Sequence, residues 1–328
     1  MKKLCYTLKL SSFGIGQSSL MPHGYHPEYG NESPVDRTLR ILDEMGDMIG
    51  GIEYKYPVEL HENNASLITK VAGAKKITSI EVAYSRLSQY REGGFINPLK
   101  RKRDEVLQLA KGAIELGAEY SAAVIIRPFC ESYRYPLSPG LEKSWDLFME
   151  GIIQSIEFAQ SKKVQLMLEP VQGDAGSTPL LDSTLKSLYL VQKIRGMGLK
   201  ADSLKLILSA NILKNRSESP SEMAVLLFKE NILGGVTLNS FLNWNQEEAF
   251  WFSWILNSKG FGKKGELVGM DLPPSPQGQA ETFKVEIEYW NGFFEKASRF
   301  PKTKINEYQK SGEIPPLRRE IQKILISH

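Results

Sequence analysis

Val164-Gln165-Leu166-Met167-Leu168-Glu169-Pro170 runs apolar for most of its length and then stops on a carboxylate and a proline. A short apolar run of this kind reads as a buried strand, and proline cannot extend the ladder. Before it, Leu141–Gln160 repeats apolar residues at three- and four-residue spacing, and after it Leu180–Ile194 does the same. Each is an amphipathic helix with one face to bury. Helix, buried strand, helix is the pattern of a parallel sheet whose crossovers cover both faces.

The alternation extends in both directions. Strands are expected at Cys5–Leu10, Gly51–Tyr56, Ile77–Ala83, Ala122–Arg127, Val164–Glu169, Leu204–Ser209, Gly235–Asn239 and Leu267–Asp271. Further helices are expected at Asp36–Met48, Pro98–Leu116, Ser221–Lys229, Gln246–Leu256 and Gln279–Ala297. Ser219 and Pro220 punctuate one helix start. Gly117 is expected to end the helix before the fourth strand, in a left-handed position. Eight β-then-α units predict a closed (β/α)8 TIM barrel over residues 1–300. The rival is an open doubly wound sheet, but no GxGxxG follows the first strand. Residues 301–328 carry Pro315-Pro316 and the basic amphipathic Leu317–Ile326. They are expected to form a C-terminal helical arm, packed on the barrel or on the partner subunit of a homo-oligomer, with a frayed tail as the alternative.

Composition narrows the partners. The net charge of +3 is small and spread along the chain, which gives no reason to infer a nucleic-acid partner. The one basic cluster, Lys100-Arg101-Lys102-Arg103, reads as a solvated helix start or as a phosphate patch. No run approaches the roughly 20 apolar residues of a membrane span, so no membrane partner is expected. Leu4–Leu10, with Thr7 and Lys9, is too short and polar for a signal-peptide core. Cys5 and Cys130 form no metal or redox motif, which fits a reducing compartment and a cytoplasmic location.

Barrel chemistry sits where strands end and βα loops begin. The residues at those ends are Glu53 and Lys55, Glu81 and Tyr84, Arg127 to Arg134, Glu169, Ser209 and Asn211, Asn239 and Ser240, and Asp271. Glu169 tops a buried strand, where a carboxylate is costly unless paired or bound to a cation. A metal site answers that cost, and so does an ion pair with Arg127 or Lys205. Asp271, before Leu272-Pro273-Pro274, reads as a ligand or as the cap of a turn. His23 and His26 lie in a loop after the first strand that can reach the mouth. Tyr133, Tyr135 and Trp244 are aromatics placed to stack on a sugar ring, whereas Trp251 and Trp254 read mainly as helix core.

In order and spacing these segments resemble the xylose-isomerase-like family of sugar isomerase and epimerase barrels. The resemblance covers residues 5 to 298 and rests on Gly51-Ile52-Glu53-Tyr54, Tyr133-Arg134-Tyr135-Pro136, Glu169-Pro170, Ser209-Ala210-Asn211-Ile212, Leu238-Asn239-Ser240 and Asp271-Leu272-Pro273-Pro274. It implies a carbohydrate substrate and a divalent cation (Mn, Mg or Co) held by Glu169 and Asp271, which would also be the catalytic pair. This chain departs from the family at several points. Ser209, Ile212 and Ser240 stand where it has ligands, Val171 where it has a lysine, and Asp174 where it has a later glutamate. Neutral oxygens and isoleucine leave a two-carboxylate site that holds a cation weakly or not at all.

Two functions follow as expectations. One is a sugar isomerase, epimerase or related lyase that uses Glu169 as base or ligand. The other is a barrel that binds a carbohydrate or a partner without turnover, with His23, Asn211, Asn239, Tyr133, Tyr135 and Trp244 as contacts. A zinc-dependent phosphodiesterase needs more histidines than the four present.

Overall fold

The computed structural model describes residues 4–17, 21–73, 76–133, 140–172, 178–200, 202–262, 266–312 and 314–326; for residues 76, 133, 214–216, 309 and 314 it describes the backbone alone. Ten strands occur in chain order: β1 Tyr6–Lys9, β2 Ile49–Tyr56, β3 Lys76–Val82, β4 Ala123–Ile126, β5 Ser132–Tyr133, β6 Leu166–Leu168, β7 Thr178–Pro179, β8 Leu204–Ser209, β9 Leu233–Leu238 and β10 Leu267–Met270. Eight of them close a ring in the order β1-β10-β9-β8-β6-β4-β3-β2. Every pairing in that ring is parallel. The expected (β/α)8 barrel is therefore present, with all eight expected strands in it. The remaining pair, β5 and β7, forms a short antiparallel ladder above the barrel that the sequence did not signal.

The helices are α1 Pro34–Met45, α2 Ala65–Ala72, α3 Lys100–Tyr120, α4 Leu141–Lys162, α5 Thr184–Gly196, α6 Ala210–Arg216, α7 Pro220–Lys229, α8 Gln246–Ser258, α9 Gln279–Ser298, α10 Lys302–Ser311 and α11 Ile314–Ile326. Helix ends are set by caps. Ser33, Ser183, Ser219 and Asn245 each accept a hydrogen bond from a backbone N–H in the first turn. Thus α5 starts at Thr184 and not at Leu180, because Leu180 and Leu181 are drawn into the core ahead of the Ser183 cap. Gly117 does not end α3. It lies inside the helix, where a Cβ would come within 2.9 Å of Val124 Cγ2 and 3.1 Å of Ala122 O, so it permits close helix–strand packing. The left-handed terminus falls on Ser121, at φ 53°. The basic cluster is the solvated start of α3, with Lys100 paired to Asp104 and Lys102 to Glu105.

Alternation along each strand separates two cores. Tyr6, Leu8, Ile52, Tyr54, Ile80, Val124, Ile126, Leu166, Leu168, Leu206, Leu208, Val236, Leu238, Val268 and Met270 face outward and merge with the apolar helix faces. Inside the ring, Ile125, Met167 and Ile207 form a separate apolar floor, with Ala123 and Leu267 against it. One step further along the strands the inward positions turn polar and charged, and that layer is the mouth. The C-terminal arm, α10 and α11, folds back on the barrel. Ile305 and Ile321 are buried, and Lys296 Nζ donates to Leu325 O at 2.9 Å. No helix among the described residues is long and apolar enough to cross a membrane.

Candidate functional site

Register decides which side chains meet at the mouth. Lys9 lies opposite Glu53, Glu53 opposite Ser79, and Lys55 opposite Glu81. Period-2 geometry then aims Lys9, Glu53, Lys55, Ser79 and Glu81 into the ring. Arg127, just past β4, completes the group. Its guanidinium holds three carboxylates from three strands. Nη1 donates to Glu53 Oε1 at 2.6 Å and to Glu81 Oε2 at 2.7 Å, Nη2 to Glu53 Oε2 at 3.1 Å, and Nε to Glu169 Oε2 at 2.6 Å. Ser79 Oγ donates to Glu53 Oε2 at 3.1 Å. The cluster is nearly dry: Arg127 is 3% exposed, and Glu53, Glu81 and Glu169 are 6%, 2% and 4% exposed.

Charge and burial oppose each other here. Burial alone would push Glu53 up. The Arg127 charge and hydrogen bonds, helped by Lys9 and Ser79, outweigh it and hold Glu53 below the usual carboxylate range. For Arg127, burial works against the charged form, and the three carboxylates overcome it. Lys9 follows the same pattern. Burial lowers it, but Asp271, Glu169 and Glu53 lift it above its ordinary value in spite of Arg127. One group is left incomplete, because Glu81 Oε1 is buried and has no hydrogen-bond partner among the described residues.

A second, mostly neutral network crosses the other half of the mouth. Lys9 Nζ lies 3.9 Å from Asp271 Oδ1. Asn211 Nδ2 donates to Asp271 Oδ2 at 3.0 Å, and Asn239 Nδ2 donates to Asn211 Oδ1 at 2.9 Å. Trp244 Nε1 donates to Asn239 Oδ1 at 2.7 Å. Asn239, not Ser240, faces the ring, since Ser240 Oγ turns out to Glu286 Oε1 on α9. Asn211 likewise faces Asp271, while its neighbour Ile212 is buried in the wall. Asn239 and Trp244 also line a cavity of about 280 Å3 beside the mouth, with Asn243 and Glu248. A larger cavity, about 850 Å3, opens at the opposite end of the barrel, where Lys163, Lys205 and Lys259 stand near helix C-termini. Size therefore does not mark the mouth.

Of the residues singled out in the sequence, Glu169, Asp271, Asn211, Asn239 and Trp244 come together at this end of the barrel. His23 does not join them; it is exposed. His26 makes the link expected of that loop, its Nε2 lying 3.0 Å from Ser275 O in the loop after β10. Tyr133 lies on β5, and its side chain is outside the described residues, as are Tyr135 and Asp174. Trp254 belongs to the helical layer and donates to Phe300 O. For Glu169, the partner among the two weighed is Arg127, since Lys205 pairs with Asp202. The sequence marks Glu53 and Glu81 as strand-end positions and Arg127 as a strand-end position and a possible partner of Glu169, but it does not mark Lys9. The usable signal was a lysine or glutamate on the inward register of a buried strand, repeated on four neighbours.

A divalent cation is the cofactor that the resemblance implies, and the donor set does not fit it. Hard cations of this kind take about six or more oxygen ligands. Here Glu169 is turned onto a guanidinium and Asp271 onto an amide and an ammonium. Among the described residues no three His, Cys, Asp or Glu side chains are grouped so as to hold a metal ion.

No sequence-family profile and no curated protein sequence matches the chain. Its structural neighbours are sugar isomerase and epimerase barrels. A 3-keto-D-glucoside 4-epimerase from E. coli superposes with a TM-score of 0.64 at 13% identity, over 88% of this chain and 99% of that one. An L-ribulose 3-epimerase gives 0.65 at 13% identity, over 90% and 95%. A D-allulose 3-epimerase from Methylomonas sp., in complex with D-allulose, gives 0.58 at 12%, over 90% and 94%. At these identities the likeness is one of fold. The class that the fold defines is the closed (β/α)8 barrel.

Proposed function

We propose that this barrel binds a carbohydrate or related polyol at its C-terminal mouth. Two fixed cations, Arg127 and Lys9, would stand there in place of a divalent metal, and classical metal-dependent isomerisation would not be its chemistry. The observation that carries this reading is Arg127 held by Glu53, Glu81 and Glu169. A rigid guanidinium with three carboxylates supplies positive charge at a set position and needs no bound metal. Asn211, Asn239 and Asp271 offer neutral and anionic partners for hydroxyl groups, and Trp244 offers a face beside a cavity wide enough for a sugar ring.

Three neighbours of the same fold carry epimerase names, and one was solved with D-allulose, which supports a ligand of this chemical class. Ser209, Ile212 and Ser240, which stand where the resembled family has metal ligands, support a non-catalytic form of the reading as far as metal chemistry goes.

The test is saturation-transfer NMR with a panel of ketoses, aldoses and polyols, run with chelator and with added Mn²⁺, and with deuterium exchange followed at the carbon beside the carbonyl. Binding that is indifferent to both additions, and that is lost in Asn239→Ala, supports the proposal. Binding or exchange that appears only with Mn²⁺ overturns it, and so does a panel in which nothing binds.

A further inference from the structure

One side chain of the mouth has no place in the ion cluster. Lys55 is the last inward residue of β2, one inward step beyond Glu53 and level with Glu81 on β3. Lys9 and Arg127 both have carboxylate partners within 4 Å. The Lys55 ammonium has none among the described residues; only its backbone is engaged, through a hydrogen bond from its N–H to Glu59 Oε2 at 2.9 Å and two accepted by its carbonyl. The lysine is half-buried, so solvent and small ligands reach it. Across the ladder at the same level stands Glu81, whose Oε1 is buried without a hydrogen-bond partner among the described residues. A lysine kept for structure in such a layer would be expected to close that pair, and this one does not.

Resting on the carbohydrate reading above, we propose that Lys55 is a nucleophilic amine that captures the carbonyl carbon of an open-chain sugar, or of another small aldehyde or ketone, as an imine. The surroundings suit that role. The charged groups that act most strongly on the amine are Glu81 from β3, Glu59 from the turn after β2, Arg86 from the helical turn after β3 and Lys9 from β1. Burial lowers the amine first. Glu81 and Glu59 pull it back up, Arg86 and Lys9 push it down, and the net direction is down. A lysine partly stripped of water and placed next to other cations is more nucleophilic at neutral pH than an exposed one.

An acid stands four residues away. Burial pushes Glu59 up to about 7, against the pull of Lys55 and its N–H, so a large share of it carries a proton at neutral pH. The two groups have been moved in opposite directions, as an acid and a nucleophile require.

The step balances without an oxidant. The neutral Lys55 amine attacks the carbonyl carbon, a C–N bond forms, the carbonyl π pair goes to oxygen, and one N–H proton passes to that oxygen to give the carbinolamine. The carbinolamine then loses its hydroxyl as water, with a proton from Glu59, and the second N–H proton returns to the Glu59 carboxylate to leave C=N. Cyanoborohydride traps the product by delivering hydride to the imine carbon, which yields a stable secondary amine.

The experiment treats the full chain with glycolaldehyde and cyanoborohydride at neutral pH, followed by peptide mapping. Lys55 is expected to label several-fold faster than the exposed Lys163, because its lowered amine is more often unprotonated at neutral pH. Labelling there should disappear in Lys55→Arg and slow in Glu59→Gln, and its pH midpoint should lie below that of the surface lysines. Equal rates at Lys55 and Lys163 overturn the proposal. Binding of arabinitol, which has no carbonyl, is measured by NMR on wild type and Lys55→Met. Arabinitol binding without Lys55 labelling ends the imine proposal alone. Lys55 labelling where no sugar or polyol binds ends the carbohydrate reading on which the sugar-imine form rests, and leaves an amine that reacts only with small carbonyl compounds.

Discussion

Replacing Arg127 by methionine tests the site at its centre. The substitution keeps much of the side-chain volume and deletes the charge. Four hydrogen bonds to three carboxylates disappear, and Glu53, Glu81 and Glu169 stay where they are, each under a tenth exposed. Breaking a buried pair by removing one partner costs about 3–5 kcal/mol, mostly because the other charge is left uncompensated. Lys9 offsets part of this, since it lies near Glu53 and Glu169. At roughly 2 °C per kcal/mol for a chain of this size, the melting midpoint should fall by about 6–10 °C near neutral pH.

The pH dependence provides a sharper criterion. In the wild type Glu53 is held below the carboxylate range, so its contribution is present above the ordinary carboxylate pKa and is lost as pH falls through the lowered value. In Arg127→Met burial, the largest influence on Glu53, is opposed only by Lys9 and Ser79, so Glu53 titrates upward and the variant regains stability as pH falls from 8 towards 5. The gap between the two proteins must therefore narrow on acidification. Thermal melts followed by circular dichroism at pH 5 and pH 8 measure it. A variant within about 1 kcal/mol of wild type, or a gap that does not change with pH, would refute the claim that the guanidinium compensates these carboxylates.

Other substitutions test the rest of the site. Glu59 is raised to about 7, so its folded state favours the protonated form; that stability is full below its unfolded value and is lost as pH rises through 7. Glu59→Gln should accordingly stabilise the chain at pH 8 relative to pH 5 by on the order of 2–3 kcal/mol, read from the same melts. Asn211→Ala removes the centre of the Asp271–Asn211–Asn239 chain and should weaken carbohydrate binding about tenfold with little change in melting, as followed by NMR titration. Glu131 accepts the backbone N–H groups of Gly94, Phe95 and Ile96 and is fully buried. Glu131→Ala should cost about 3 kcal/mol or more, with faster hydrogen exchange confined to residues 93–97.

The fold was legible because it depends on period. Eight apolar runs separated by amphipathic segments survive any uncertainty about their ends, and the barrel follows from their number. What the sequence missed were elements too short to show a period: α2, α6 and the β5–β7 ladder. The misreading of Gly117 has the same origin, since a glycine that ends a helix and one that lets a helix approach a strand look alike until Val124 is in place. For the site, Glu169 and Asp271 stood out because each closes a buried strand. Lys9 did not, because a single lysine near the N-terminus looks solvated. Its meaning comes from register, which places it opposite Glu53 across a ladder that joins residues 44 positions apart. Arg127 was visible as one of two possible partners for Glu169, and only the closed ring shows that it serves Glu53 and Glu81 as well.

The charged layer itself calls for a cause, and packing does not supply one. One step below it, Ile125, Met167 and Ile207 fill the ring with apolar side chains. The same strands could have continued that filling upward. Replacing a buried ion group by hydrophobic residues of similar volume is often neutral or stabilising, so a guanidinium, three glutamates and a lysine are not what the barrel needs in order to fold. They are tied into fixed positions, leave one carboxylate oxygen and the Lys55 amine on the same rung without partners among the described residues, and lie at the end of the strands where such barrels bind their ligands. A layer costly to bury, rigidly held and incomplete at one point supports the binding reading proposed above. On this argument, the group that completes it should reach both Glu81 Oε1 and the Lys55 amine.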